Sequence, residues 1–235
     1  MTDSDPSDFD AYAEHYGEAL SRGISVSGES KEYFAQGRVA LLARRLAELG
    51  VRPVRVMDYG CGTGTATPFL RDILGSTSIV GVDISGKSIE HARAHQPGAE
   101  FHVQSDVNPA GDFDAVYCNG VFHHIPPPER LGAFRFIRDC LRPGGVFALW
   151  ENNPWNPGTQ LVMARIPFDR DAVKISAPAA GRLLRAAGLD VIRTDFYFIF
   201  PHRFRALRFL EAPLARVPLG AQYQVLARNP QRRPT

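Results

Sequence analysis

Residues 54–64 read Val54-Arg55-Val56-Met57-Asp58-Tyr59-Gly60-Cys61-Gly62-Thr63-Gly64. The first five form a short, largely apolar strand. The alternating glycines after it form a turn that lets backbone approach a ligand and take positive φ. From Thr65 to Leu74 the pattern is helical, and Ile79-Val80-Gly81-Val82-Asp83 is a second strand. Working outward, Ser85 caps a helix to about His95, and Phe101–Gln104 and Phe113–Cys118 are strands. A helix spans Glu129–Leu141, and Arg142-Pro143-Gly144-Gly145 turns into the strand Val146–Trp150. Strands and helices alternating at this spacing predict a doubly wound α/β sheet with helices on both faces and right-handed crossovers.

The flanks are read the same way. Asp8 caps a helix through DAYAEHYGEAL, and a second helix runs from Ser30 to a stop at Gly50. This gives an N-terminal helical cap over residues 1–50 and a core over 51–235. Residues 151–175, rich in Pro and Asn, read as a long loop with little regular structure, a length usually tied to function. Ser176 and Pro178 open a helix ending near Gly188. Val191–Phe200 reads as a strand, residues 203–212 as a helix and 222–228 as a final strand.

The bulk numbers set limits. The chain has 235 residues, 44% apolar and 22% charged, which fits one α/β domain with decorations. A net charge of +2 gives no global reason to expect a polyanion. Seven arginines lie beyond His202 (203, 205, 208, 216, 228, 232 and 233) against Glu211 alone. They read as solvated edges whose stems cover apolar surface, so nucleic acid is not expected. No apolar run reaches the roughly 18 residues of a membrane span, and the acidic start lacks signal-peptide character. Cys61, Cys118 and Cys140 show no CxxC spacing and predict reduced thiols in a cytoplasm.

Asp83 closes the second strand 19 residues after Gly64, where a carboxylate can accept hydrogen bonds from both hydroxyls of a ribose. A nicotinamide dinucleotide site wants G-x-G-x-x-G, but here the third glycine comes one residue early and Thr65 stands where glycine is wanted. An acidic residue also precedes the first glycine by two places. This D-x-G-x-G-x-G arrangement resembles the S-adenosylmethionine (SAM) signature of class I methyltransferases. The resemblance covers about residues 50–150. It implies a Rossmann-like seven-stranded sheet with the last strand antiparallel. It places Asp58, Gly60, Cys61, Gly62, Asp83, Ile84, the Ser105-Asp106-Val107 segment and Asn119-Gly120 against the cofactor, with Asp106 toward the adenine amino group. Several small-molecule methyltransferases begin with a tyrosine-containing helix like Asp10–Tyr16; by that analogy Tyr12, Tyr16 or Arg38 closes over the methionine end of SAM.

Methyl transfer is an in-line displacement at a sulfonium carbon, so positioning does much of the work and a base is needed only where the acceptor's pKa demands one. His123 and His124 follow the fourth strand, and either suits a general base; His124 is preferred by motif position. Glu151 is a third candidate base. Asn152, Asn153 and Trp155 supply amides and a flat apolar wall for an acceptor pocket. Of the aromatic run Phe196-Tyr197-Phe198 and Phe200, half belongs to the core by alternation and the rest, with Tyr197, faces an acceptor. Adjacent His123-His124 lack the i, i+4 spacing of a helical zinc site, so no metal is expected. The resulting expectation is a SAM-dependent methyltransferase, monomeric or homodimeric. It acts at oxygen or carbon of a small metabolite, in secondary or isoprenoid metabolism. The alternatives are an NAD-dependent reductase and a non-catalytic SAM-binding regulator.

Overall fold

The structure, a computed structural model, describes residues 22–166, 169 and 172–231. Seven strands form one sheet in the order β3-β2-β1-β4-β5-β7-β6. They are β1 (Arg55–Tyr59), β2 (Ser78–Asp83), β3 (Glu100–Val103), β4 (Phe113–Asn119), β5 (Leu141–Asn152), β6 (Asp190–Tyr197) and β7 (Gln222–Arg228). Strands β1–β5 are parallel, and β7 runs antiparallel between β5 and β6. The expected doubly wound sheet with an antiparallel last strand is therefore the observed one. Its order reverses between β1 and β4, and a crevice opens beyond the carboxyl ends of the strands at such a reversal.

One sheet face carries α1 (Lys31–Glu48) and α2 (Thr67–Leu74). Apolar residues three and four apart on α1, with Val39, Leu42 and Leu46 fully covered, meet Val56, Ile79 and Trp150. Ser30 caps α1 by accepting the Tyr33 N–H. The other face is closed by α4 (Arg130–Cys140) and α6 (Ala177–Ala186). Phe134, Ile137 and Leu184 there bury against Met57, Phe147 and Tyr223. Each such side chain contributes on the order of 1.5–3 kcal/mol. Helix α3 (Gly86–His95) packs Ile89 and Ala92 on Phe101, with Ser85 as its N-cap.

Four expectations are corrected. The segment 151–175 contains a helix, α5 (Pro157–Arg165), because Asn156 accepts the Thr159 N–H at 2.9 Å and Pro157 sits at the first turn. Strand β5 begins at Leu141, which pairs with Phe113; Arg142–Gly145 is a bulge inside the strand rather than a turn before it. Strand β6 stops at Tyr197, because Phe198 takes φ +61° and turns the chain. The helix expected at 203–212 is a 3-10 segment, His202–Leu210, continued by the short α7 (Glu211–Leu214). The helix expected from Asp8, with Tyr12 and Tyr16, lies outside the described residues.

Candidate active site

Two cavities meet over the carboxyl ends of β1 and β4. The smaller, about 130 Å³, is walled by the glycine loop (Tyr59, Gly60, Gly62), Asp83, Ile84 and Gln104. The larger, about 300 Å³, lies between α1, α5 and the chain after β6; Tyr33, Phe34, Val162, Phe198 and Phe200 give it a mostly apolar wall. Asn119, Gly120 and His124 line both.

The glycine loop is wound back onto the sheet. The Gly60 and Cys61 N–H groups donate to the Val82 carbonyl at 2.7 and 3.1 Å. Gly60 takes φ +71°, and a Cβ there would stand 2.1 Å from Val121 Cγ2, so no other residue fits. Asp83 holds the turn from the next strand: its Oδ2 accepts the Gly62 N–H at 2.8 Å and its Oδ1 the Ser85 N–H at 2.9 Å. Asp58, at the end of β1, is buried, and its Oδ2 has no hydrogen-bond partner among the described residues. Burial, reinforced by the charge of Asp83 and eased by Arg38, pushes its carboxyl up to about 7. Asn119 Oδ1 is likewise buried without a partner among the described residues. Asn119 borders both cavities, and a buried polar atom left open at a cavity is a place for a ligand; Asp58 lies behind the cavity walls.

Arg38 reaches from α1 across the sheet edge. Its Nε donates to Tyr117 Oη and its Nη1 to Gln222 Oε1, each at 3.0 Å, and it lines the larger cavity. Ser105 and Asp106 are exposed and bond each other at 3.1 Å; Gln104, not expected from sequence, walls the smaller cavity at that end. Val107 packs against the sheet core.

The three candidate bases are brought together with a fourth group. His123 Nδ1 lies 2.6 Å from Glu151 Oε2, and Glu151 Oε1 accepts the Phe122 N–H at 2.7 Å. Asp169 Oδ1 stands 3.3 Å from His123 Nε2 and 3.3 Å from His124 Nε2. Burial draws the His123 ring down, but Glu151 and Asp169 outweigh it and push it up to about 10. Burial also governs His124 and holds it below its ordinary value, with His123 reinforcing and Asp169 opposing. Both carboxylates would rise on burial alone. The bonds from the two histidines bring Asp169 down to about 2, and His123 holds Glu151 below its usual range.

The expected acceptor residues divide. Asn152 lines the larger cavity and accepts from Gln222 Nε2 at 3.1 Å. Asn153 faces neither cavity; it is fully buried, and its Nδ2 donates to the Pro218 and Gly220 carbonyls at 3.1 and 2.8 Å. Trp155 is exposed beside Phe196, and Tyr197 packs against Trp150 and Phe198, with its hydroxyl accepting from Arg44. Phe198 and Phe200 line the cavity in their place, because the positive φ at Phe198 ends the strand at Tyr197, three residues before Phe200.

A family model described as a methyltransferase domain matches residues 32–194. The chain belongs to this methyltransferase family. A trans-aconitate 2-methyltransferase of Rhizobium leguminosarum bv. trifolii is 32% identical over 169 residues, covering 64% of this chain and 65% of its own length. The chain thus spans somewhat under two thirds of that relative. Another, from Methylobacterium nodulans, is 32% identical over 184 residues, 69% of each chain. Among solved structures, a TehB-like SAM-dependent methyltransferase from Corynebacterium glutamicum superposes with a TM-score of 0.61 at 18% identity, covering 94% of this chain and 99% of that one. The 1,6-didemethyltoxoflavin-N1-methyltransferase of Burkholderia thailandensis does so with a TM-score of 0.58 at 19% identity, covering 98% and 93%. These structural likenesses show the fold. The family match makes the chain a member of the methyltransferase family, and the likenesses add the fold that SAM-dependent members share. Among the described residues no helix is long and apolar enough to cross a membrane.

Proposed function

We propose that this methyltransferase holds SAM in the smaller cavity and methylates, at oxygen or carbon, a small metabolite with an apolar body held in the larger one. The observation that carries this reading is the shared wall: Asn119, Gly120 and His124 border both cavities, so an acceptor and a cofactor would face each other there. SAM supplies an electrophilic methyl group on a sulfonium. The chain's residues supply the rest. Asp83, fixed by its bonds to the Gly62 and Ser85 N–H groups, lines the smaller cavity where ribose hydroxyls would lie. Asp58, whose Oδ2 has no hydrogen-bond partner among the described residues, would act on a cationic ligand through its charge from behind the cavity wall. Arg38, tied to β4 and β7, fits a carboxylate at the other end of the cofactor. Ile84 and Asn119-Gly120 complete the wall; Ser105, Asp106 and Val107 stand outside it and would act by backbone or rim contacts.

Of the three candidate bases, His124 meets the acceptor by position. His123 and Glu151, clamped on each other, act as positioning residues. The relatives' names point to a polycarboxylate acceptor for those proteins. The larger cavity of this chain is lined by Tyr33, Phe34, Phe198 and Phe200, which favours an acceptor with a flat apolar body and a single oxygen function. Calorimetry with SAM, its demethylated product and NADH tests the cofactor assignment. SAM or product should bind in the micromolar range and weaken at least about tenfold in Asp83→Ala, roughly 1.4 kcal/mol. NADH binding without SAM binding would overturn the assignment. Tight SAM binding with no turnover on a broad panel of hydroxylated and carboxylated metabolites would instead favour a regulator.

A further inference from the structure

The four-residue cluster at the cavity junction has a geometry that the methyl-transfer reading alone does not require. His123, His124 and Asp169 each offer a ligand atom within 4.8 Å of the others, and Asp169 Oδ1 is 3.3 Å from the Nε2 of each ring. Metal–ligand bonds of about 2.0–2.1 Å at tetrahedral angles leave neighbouring ligand atoms about 3.3 Å apart. The geometry points to a divalent transition-metal site formed by His123, His124 and Asp169, with one coordination position open to the larger cavity.

Three further observations fit that site. First, the outer nitrogen of His123 is fixed: Nδ1 is 2.6 Å from Glu151 Oε2, and Glu151 is itself held by the Phe122 N–H at 2.7 Å. A buried carboxylate behind a histidine is the arrangement that sets tautomer and ring orientation for a metal ligand. Second, the site is shielded but open on one side. His123 and Asp169 are 3% and 7% exposed, yet both line the larger cavity with His124. Three protein ligands with a free position on a cavity is the pattern of catalytic rather than structural sites. Third, the ligands are anchored. The Val173 N–H donates to the His123 carbonyl at 3.0 Å, and Arg130 reaches from α4 to the carbonyls of Ile125 and Val173. Those bonds fasten the chain after Asp169 to the histidine loop. Two imidazoles and one carboxylate suit Zn²⁺, Mn²⁺, Fe²⁺ or Co²⁺ over Mg²⁺ or Ca²⁺.

The proposed site runs against the expectation, drawn from the adjacency of His123 and His124, that no metal belongs here. The third ligand comes from 45 residues further along the chain, beyond the reach of a spacing rule. Its use deepens the proposed function and rests on it: the open position would take a hydroxyl or carboxylate oxygen of the acceptor, lowering a hydroxyl's pKa so that its proton passes to water. His124 would then orient the acceptor through the metal instead of as a free base. Metal binding itself rests on the chain alone.

The experiment therefore uses metal without SAM. His91 and His95, stacked one turn apart on the exposed face of α3, could bind a metal ion themselves, so His91→Ala is the parent for every measurement. After chelation and dialysis, Zn²⁺ and Mn²⁺ are titrated calorimetrically into this parent and into it carrying Asp169→Asn, His124→Gln or Glu151→Gln. The expected result is one site per chain, weakened at least about a hundredfold by loss of either ligand and about 10–100-fold by the Glu151 change. Thermal unfolding of each metal-free variant checks folding. Nitrogen couplings in the pulsed EPR spectrum of the Cu²⁺-loaded parent should show two imidazoles, reduced to one in His124→Gln. No binding to the parent, or binding unchanged by Asp169→Asn and His124→Gln with a single imidazole, would overturn the site. SAM binding, read separately, would be untouched by that failure.

Discussion

Asp58→Asn should stabilise the ligand-free methyltransferase at neutral and alkaline pH while weakening its cofactor. The Asp58 carboxyl is 2% exposed, faces Asp83, and has an oxygen without a partner among the described residues. Its pKa rises from 3.8 to about 7, a little over three units, or on the order of 4 kcal/mol against the ionised form. The raised folded-state value fixes the sign. The stability associated with the protonated form is fully present below pH 3.8 and is lost as pH rises through about 7. Asparagine removes that loss but keeps a buried polar group, so the net gain expected at about pH 8 is roughly 2 kcal/mol, or about 4–8 °C in Tm. The slope is the cleaner readout. The difference between variant and wild type should grow by up to about 1.4 kcal/mol per pH unit between about pH 5 and 7, then level off. Urea unfolding across that range measures it. A difference that stays flat would refute the claim that Asp58 is held as a strained carboxyl. The same variant should bind SAM less well, since the charge suited to a cationic ligand is gone.

Three further substitutions separate roles that sequence alone mixes. Gly60→Ala drives a Cβ to 2.1 Å from Val121 Cγ2 at φ +71°, so it should cost about 2–3 kcal/mol and at least tenfold in product affinity; adding Val121→Ala should recover part of the stability by relieving the clash. Asn153→Ala strips the partners from two carbonyls and the Trp155 N–H, which predicts a loss of about 2–4 kcal/mol in chemical denaturation. Trp155→Ala, at a side chain 54% exposed, should stay within about 0.5 kcal/mol and leave acceptor KM unchanged; a large KM effect would restore Trp155 to the pocket.

The sheet was legible because its signals are local. Strands β1, β2 and β4 are runs of mostly buried residues closed by Gly60, Asp83 and Asn119, and three helices stop at a glycine, Gly50, Gly75 and Gly188. The errors fall where two local signals compete. At Asn156-Pro157 the same two residues mark a loop by composition and a helix start by position; the Thr159 N–H on the Asn156 side chain shows that position wins. At Arg142–Gly145, turn chemistry is present but the strand partners continue around it, so the chain bulges without leaving the sheet.

The site was legible only where one segment carries both position and chemistry. Gly60, Gly62 and Asp83 belong to a turn whose bonds close between consecutive strands, so spacing reaches them. Spacing reaches His123 and Glu151 too: His123 follows the end of β4 by four residues, and Glu151 is the penultimate residue of β5. What spacing misses is how they divide the work. Glu151 is buried behind His123 and borders neither cavity, so an acceptor does not reach it. His123 is bonded on both ring nitrogens, which closes it to receiving a proton from an acceptor. By elimination the group at the cavity junction is His124, and its partner is Asp169, which no motif announces. On the proposed function, Asp169 shapes the chemistry at the junction, and Asp169→Asn should lower kcat in steady-state assays more than Asn152→Ala does.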